Sequence, residues 1–206
     1  MSAIREEGKR NLYIVKEIDS KGKVLKECGH ACMMFFEGIE NQQLLVFSNS
    51  VLPASSSSTN NTTMQAVSCC TSEHQENKTL KIDNSRIVNC SECDISFVQY
   101  SGKVSTPLMF AQKLDPKETF QKKSAHAVVL IDGEKTVDVK FKLDKHGKLK
   151  FKSKIKFDLE KANGAPIVWT DVGSGAKYDQ VIGLLCYNND QLHPLFFEVD
   201  TFTKSK

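Results

Sequence analysis

The sequence predicts an all-β fold, and three observations carry that expectation. Apolar residues recur mostly at period two rather than 3.6. Turn-forming residues separate the apolar segments at short intervals. No long amphipathic helical run competes. Together they give on the order of a dozen short strands, a pattern that leads to a sandwich or to barrels. A length of 206 residues suffices for one domain or for two small packed barrels.

Residues 11–18 read as the first strand and 19–22 as a turn. Residues 23–36 contain the second strand and 43–47 the third. The polar, low-complexity tract at 55–63 reads as a mobile surface loop. Strands follow at 79–82 and 94–100. Pro107 and Pro116 mark residues 101–123 as a connector, with one short strand at 108–111. Residues 126–131 are strongly β-branched, and 136–143 and 148–157 form a hairpin about the turn at 144–147. Strands at 167–170, 181–187 and 194–199 complete the set, with a short terminal helix at 198–206.

Hydrophobic residues make up 40% of the chain and charged residues 26%, the balance of a folded globular protein rather than a disordered one. A net charge of +3 is too small to argue by itself for a nucleic-acid partner. No stretch approaches the ~18 apolar residues of a membrane helix. The first residues have no apolar signal-peptide core, so an intracellular (cytoplasmic or nuclear) chain is expected, unless it is one domain of a longer protein. The seven cysteines are Cys28, Cys32, Cys69, Cys70, Cys90, Cys93 and Cys186. Their odd count argues against a full disulfide framework, and free thiols in a reducing compartment are expected.

Three separated segments carry a resemblance. Ala162-Asn163-Gly164-Ala165-Pro166-Ile167-Val168, followed by a strand from Val181 to Leu185, resembles Gly-Asp-Ser-Gly-Gly-Pro-Leu-Val and its following strand in trypsin-like serine proteases. The serine position is Asn163. Leu44-Leu-Val-Phe-Ser-Asn-Ser-Val51 is similar to that family's Leu-Leu-Thr-Ala-Ala-His-Cys-Val, with Asn49 at the histidine. Asp94-Ile-Ser-Phe-Val looks like Asp-Ile-Ala-Leu-Ile, with the aspartate retained. Gly29 and Gly38 flank a strand loosely comparable to another family segment. The order is the family's, and the short interval from Asp94 to Asn163 implies clipped loops in the second half.

The resemblance spans about residues 26–199 and implies two packed antiparallel β-barrels. The N-terminal barrel would occupy 1–103, the connector 104–123 and the C-terminal barrel 124–206, together one domain. An amide is neither an acyl-transfer nucleophile nor a general base near neutral pH. The implied triad Asn49, Asp94, Asn163 is therefore degenerate, and the chain is expected to be a pseudoprotease and not an enzyme. The backbone turn at Asn163–Gly164 is expected to keep the shape of an oxyanion site. By elimination, the expected role is a protein–protein interaction or self-association scaffold without a cofactor. Each residue also has a plainer reading: Asn49 as a turn residue, Asp94 as a strand cap, and Gly164 with Pro166 as a tight turn.

Two rival constellations stand beside this. Lys140, Lys142, Lys148, Lys150, Lys152, Lys154 and Lys156 alternate with apolar residues, so the hairpin presents a lysine face. That face is either an ordinary solvated surface or a contact for nucleic acid, acidic lipid or an acidic protein. Cys28, His30, Cys32, Cys90 and Cys93 are zinc-capable residue types. On an extended strand, however, Cys28, His30 and Cys32 are spread over about 13 Å. No metal is expected. A further alternative is a hydrolase with a non-standard nucleophile such as Cys186, with His126, His146 and His193 read as surface histidines.

Overall fold

The computed structural model describes residues 9–36, 43–52, 62–68, 79–90, 93–100, 109–111, 125–131, 135–143, 149–151, 158–169 and 180–197. The first half holds β1 (Leu12–Ile18), β2 (Val24–Phe36), β3 (Gln43–Ser48), β4 (Thr63–Ser68), β5 (Thr79–Ile82), β6 (Val88–Cys90) and β7 (Ile95–Tyr100). β8 (Met109–Ala111) follows, then β9 (Ala125–Ile131), β10 (Lys135–Leu143), β11 (Leu149–Phe151), β12 (Pro166–Trp169), β13 (Gln180–Asn188) and β14 (Gln191–Phe196).

Local chemistry sets the first hairpin. The Asp19 carboxylate accepts the N–H groups of Lys21 at 2.9 Å and Lys23 at 2.8 Å. Gly22 supplies the positive φ, 83°, that turns β1 into β2. β1 pairs antiparallel with β2 and β4, β3 with β2 and β7, and β12 with β9 and β13. Among the described strands β8 alone pairs in parallel, with β2 on one edge and β13 on the other, and so stitches the two halves together. The fold is all-β, two packed antiparallel barrels, as expected.

The long apolar runs have a reason in the packing. Tyr13, Val15, Ala31, Met33, Leu45, Phe47, Met64 and Val98 point into one core, within the first half. Leu12, Ile14, Cys32, Met34, Leu44 and Val46 point the other way, where they meet Val128, Val168, Val181 and Leu184 of the second half. Strands buried on both faces read as unbroken apolar segments rather than as alternation. The seam between the halves is therefore well packed, and the polar groups at its margin are held by it.

Two strands go beyond the sequence expectation, β4 and β6. The strand expected at 148–157 is described only from Leu149 to Phe151. The loop at 55–61, most of the connector and the terminal helix at 198–206 lie outside the described residues. The expectation of free thiols throughout is corrected: Cys90 and Cys93 are joined by a disulfide, whereas Cys28, Cys32 and Cys186 are free. Cys90 ends β6 opposite Ile95 of β7, so the chain reversal between these paired strands brings the two cysteines together. Cys69 and Cys70 lie outside the described residues. Among the described residues no helix is long and apolar enough to cross a membrane.

Candidate functional site: a polar cluster on the seam

The three aligned positions arrive from three turns. Asn49 opens a 3-10 turn, Asn49–Val51, at the end of β3. Its N–H donates to the Asp94 carbonyl at 2.9 Å, which fastens the two segments together. Asp94 has φ 55°, the left-handed region in which aspartate and asparagine are among the few side-chain-bearing residues at home. Asn163 follows the 3-10 turn Glu160–Ala162 and is only 5% exposed.

Asn49 does not bridge the other two through its side chain. Its amide meets the Ser96 hydroxyl, which also meets the Asn89 amide. A hydroxyl carries one hydrogen, so Ser96 donates to one amide oxygen and accepts from the NH2 of the other. What joins Asp94 to Asn163 is a pair of residues, Cys186, the alternative nucleophile raised from the sequence, and Ser50, which the sequence does not single out. The Ser50 hydroxyl donates to Asn163 Oδ1 at 2.8 Å and lies 3.4 Å from Cys186 Sγ. The Cys186 thiol donates to Asp94 Oδ2 at 3.3 Å. The Tyr187 N–H donates to Asn163 Oδ1 at 3.0 Å. Ser48, fully buried, contacts the Ser50 hydroxyl and stands 3.3 Å from Asn163 Oδ1. An amide oxygen has two lone pairs, and the two shorter contacts, from Ser50 and Tyr187, take them. The sequence signal for Cys186 is its position one residue past the strand Val181–Leu185, which resembles the strand that follows the serine segment in that family. Ser50 adjoins Asn49 and carries no local signal of its own.

The backbone of the turn is committed to the fold. The N–H groups of Asn163, Gly164 and Ala165 donate to the carbonyls of Glu160, Leu185 and Ala162 at 3.1, 2.7 and 3.0 Å. In this arrangement an oxyanion at the turn would have to displace these bonds. Burial pushes the Cys186 thiol above its ordinary pKa, and the Asp94 carboxylate beside it acts in the same direction. Substituting Asn163→Ala removes the acceptor of the Ser50 and Tyr187 donors, and is expected to cost about 1–3 kcal/mol of stability. Urea unfolding of wild type and variant measures it.

Behind the cluster, β2 and the Asn163 turn touch backbone to backbone. The Asn163 carbonyl accepts both the His30 N–H at 2.7 Å and His30 Nδ1–H at 3.1 Å. His30 is buried, and burial drops its pKa to about 4. A Cβ on Gly164 would lie 2.2 Å from the His30 carbonyl, and one on Gly29 would lie 2.7 Å from the Asn163 carbonyl. The two glycines allow the approach.

β10 pairs with β11 so that Lys142 stands opposite Lys150, while Lys140 stands opposite His126 of β9. Lys148, Lys152, Lys154 and Lys156 lie outside the described residues. Of the zinc-capable set, Cys32 is in the core, Cys28 is half-buried with its pKa raised by burial, and Cys90 and Cys93 are spent on each other.

No protein-family model and no curated protein sequence matches the chain. Solved structures do. The crystal structure of Deg5 matches over 97% of this chain and 88% of its own, with a TM-score of 0.60 and 10% identity. The apo MamO protease domain of Magnetospirillum magneticum matches over 95% of each chain, with a TM-score of 0.53 and 8% identity. The expectation that the chain is not an enzyme does not stand against these findings, since a protease domain is built on the same architecture. That expectation rests on the amides at Asn49 and Asn163. Folding brings two other groups of nucleophilic type, Ser50 Oγ and Cys186 Sγ, to the same place. At this level of identity the likeness concerns architecture: the chain has the trypsin-like serine protease fold.

Proposed function

We propose that this chain engages an extended segment of another polypeptide, by strand addition along β13 beside the polar cluster, and serves as a protein–protein interaction module. The observation that carries this reading is the bond from the Tyr187 N–H to Asn163 Oδ1. Among the described residues, pairing between β12 and β13 runs from Gln180 to Leu184, and Leu185 then exchanges backbone bonds with Gly164 and Ala165. At Tyr187 the same kind of edge donor is met by a side-chain oxygen in place of a strand carbonyl. A peptide carbonyl can take that position, which is the way extended peptides add to sheet edges. The MamO structure, a protease domain of the same fold, supports a polypeptide as the kind of partner.

The test is selection from a phage-displayed random peptide library, followed by N-methylation of single amides in the peptides recovered. Strand addition depends on alternate main-chain hydrogen bonds. Affinity should therefore fall about tenfold or more when one of those amides is methylated, and stay unchanged at the neighbouring position. Recovery of no peptide, or indifference to methylation at every position, would sink the reading.

One contact favours a second reading, a hydrolase with a non-standard nucleophile: the thiol of Cys186 donates to Asp94. In such a step the thiol proton passes to the Asp94 carboxylate as sulfur bonds to the peptide carbonyl carbon, whose π electrons move to oxygen. Chromatography of the selected peptides after incubation with wild type and Cys186→Ala decides this. Cleavage lost in the variant supports it, and cleavage that survives, or does not occur in wild type, rules out Cys186.

A further inference from the structure

The disulfide between Cys90 and Cys93 sits against the cluster. Cys90 follows Asn89, whose amide meets Ser96, and Cys93 precedes Asp94, which receives both the Asn49 N–H and the Cys186 thiol. The covalent bond thus links two segments of the site, one residue removed from a site group at each end. Asp94 holds φ 55° directly after the bonded Cys93. Both cysteines are partly exposed, and Cys93 also packs on the core shared by the two halves. A small thiol can reach such a pair, and what the bond restrains is the residue whose carboxylate holds Cys186.

We propose that Cys90 and Cys93 form a reversible thiol–disulfide exchange site, addressed by low-molecular-weight thiols and disulfides, whose state sets how firmly Asp94 is held in the polar cluster. Oxidised, the pair fixes the reversal between β6 and β7, and with it the Asp94 carbonyl on the Asn49 N–H. Reduced, that restraint is gone and Asp94 is held by its hydrogen bonds alone. In the exchange, one external thiolate attacks a sulfur of the pair and releases the other as a thiolate. A second external thiol resolves the mixed disulfide. Two external thiols thereby lose two electrons and two protons to form one disulfide, and the pair gains them as two thiols. The inference rests on the disulfide and its neighbours, and holds whether or not β13 binds a peptide.

The experiment uses glutathione as the probe. The protein is equilibrated at a series of reduced-to-oxidised glutathione ratios, quenched by alkylation and weighed, and the fragment containing Cys90 and Cys93 is assigned. Hydrogen exchange is followed in the oxidised and reduced forms. The dithiol fraction should titrate across the series. The Asn49 amide should exchange about tenfold faster in the reduced form, while the Gly22 amide, bonded to Asp19 in the distant β1–β2 turn, should not change. A Cys90→Ser, Cys93→Ser double variant should match the reduced form at every ratio. Three results would each overturn the proposal: a pair that stays wholly oxidised or wholly reduced throughout, an Asn49 amide indifferent to its state, or acceleration of all amides together. The last would make the disulfide a staple of the whole fold rather than a local control. If the double variant does not fold, the wild-type titration decides alone.

Discussion

Gly164→Ala is expected to unfold the protein or to destabilise it by about 3–5 kcal/mol, among the largest costs for a single methyl group. Two effects add at this position. Gly164 has φ 75°, where an alanine pays for its Cβ against its own backbone. The new Cβ would also stand 2.2 Å from the His30 carbonyl oxygen and 3.0 Å from a Val51 methyl. A carbonyl in a paired strand cannot swing aside as the end of a flexible side chain can. Gly22 provides the internal control, because it has a similar φ of 83° with nothing near the position of a Cβ. Gly22→Ala should therefore cost only about 1 kcal/mol. Chemical denaturation of both variants separates backbone conformation from crowding. Equal losses would show that the contact between β2 and the Asn163 turn is looser than the distances state.

That contact also marks the limit of what the sequence shows. The strands β1, β3, β7 and β13 are legible because their apolar runs are long, and β-branched or aromatic residues distinguish them from helices. β4 is harder to read because the polar tract at 55–63 runs into it, and only Met64 and Ala66 mark its buried face. β6 is three residues long, too short for any period to register. The aligned positions Asn49, Asp94 and Asn163 follow from local patterns, and the fold does gather their turns on one seam. The contacts of Ser50 and Cys186 with each other, with Asp94 and with Asn163 cannot be read from such patterns, since these partners are distant in sequence and only the packing of the two halves brings them together. The same holds for His30. Its neighbour Gly29 and the partner Gly164 each carry a local signal, a glycine beside a polar residue, but nothing local says that one glycine stacks on the other's chain segment. Cys90 and Cys93 were close enough to pair from the start, and their bond follows from the β6–β7 reversal.

Buried His30 should make the fold acid-sensitive in a window that carboxylates alone do not explain. Its folded pKa is about 4, against an ordinary value near 6.5, because desolvation disfavours the imidazolium. The bond of Nδ1–H to the Asn163 carbonyl and the Glu27 charge oppose that shift without overcoming it. Above pH ~6.5 the ring is neutral in both folded and unfolded chains, and contributes no pH dependence. Between about 6.5 and 4 the unfolded chain binds a proton that the folded one does not, so stability falls as pH falls. The loss should reach up to about 3 kcal/mol by pH 4, following the size of the shift. Urea unfolding of wild type and His30→Gln from pH 7.5 to 4 isolates the effect, since the other titrating groups are common to both. The wild-type curve should be the steeper one, and the difference should close above pH ~6.5 to a constant offset. Parallel curves across the whole range would mean that His30 is not buried as a neutral ring. The disrupted group would be the Asn163 carbonyl on which β2 and the cluster turn meet, so acid loss of stability and loosening of the polar cluster should appear together in hydrogen exchange of the His30 and Tyr187 amides.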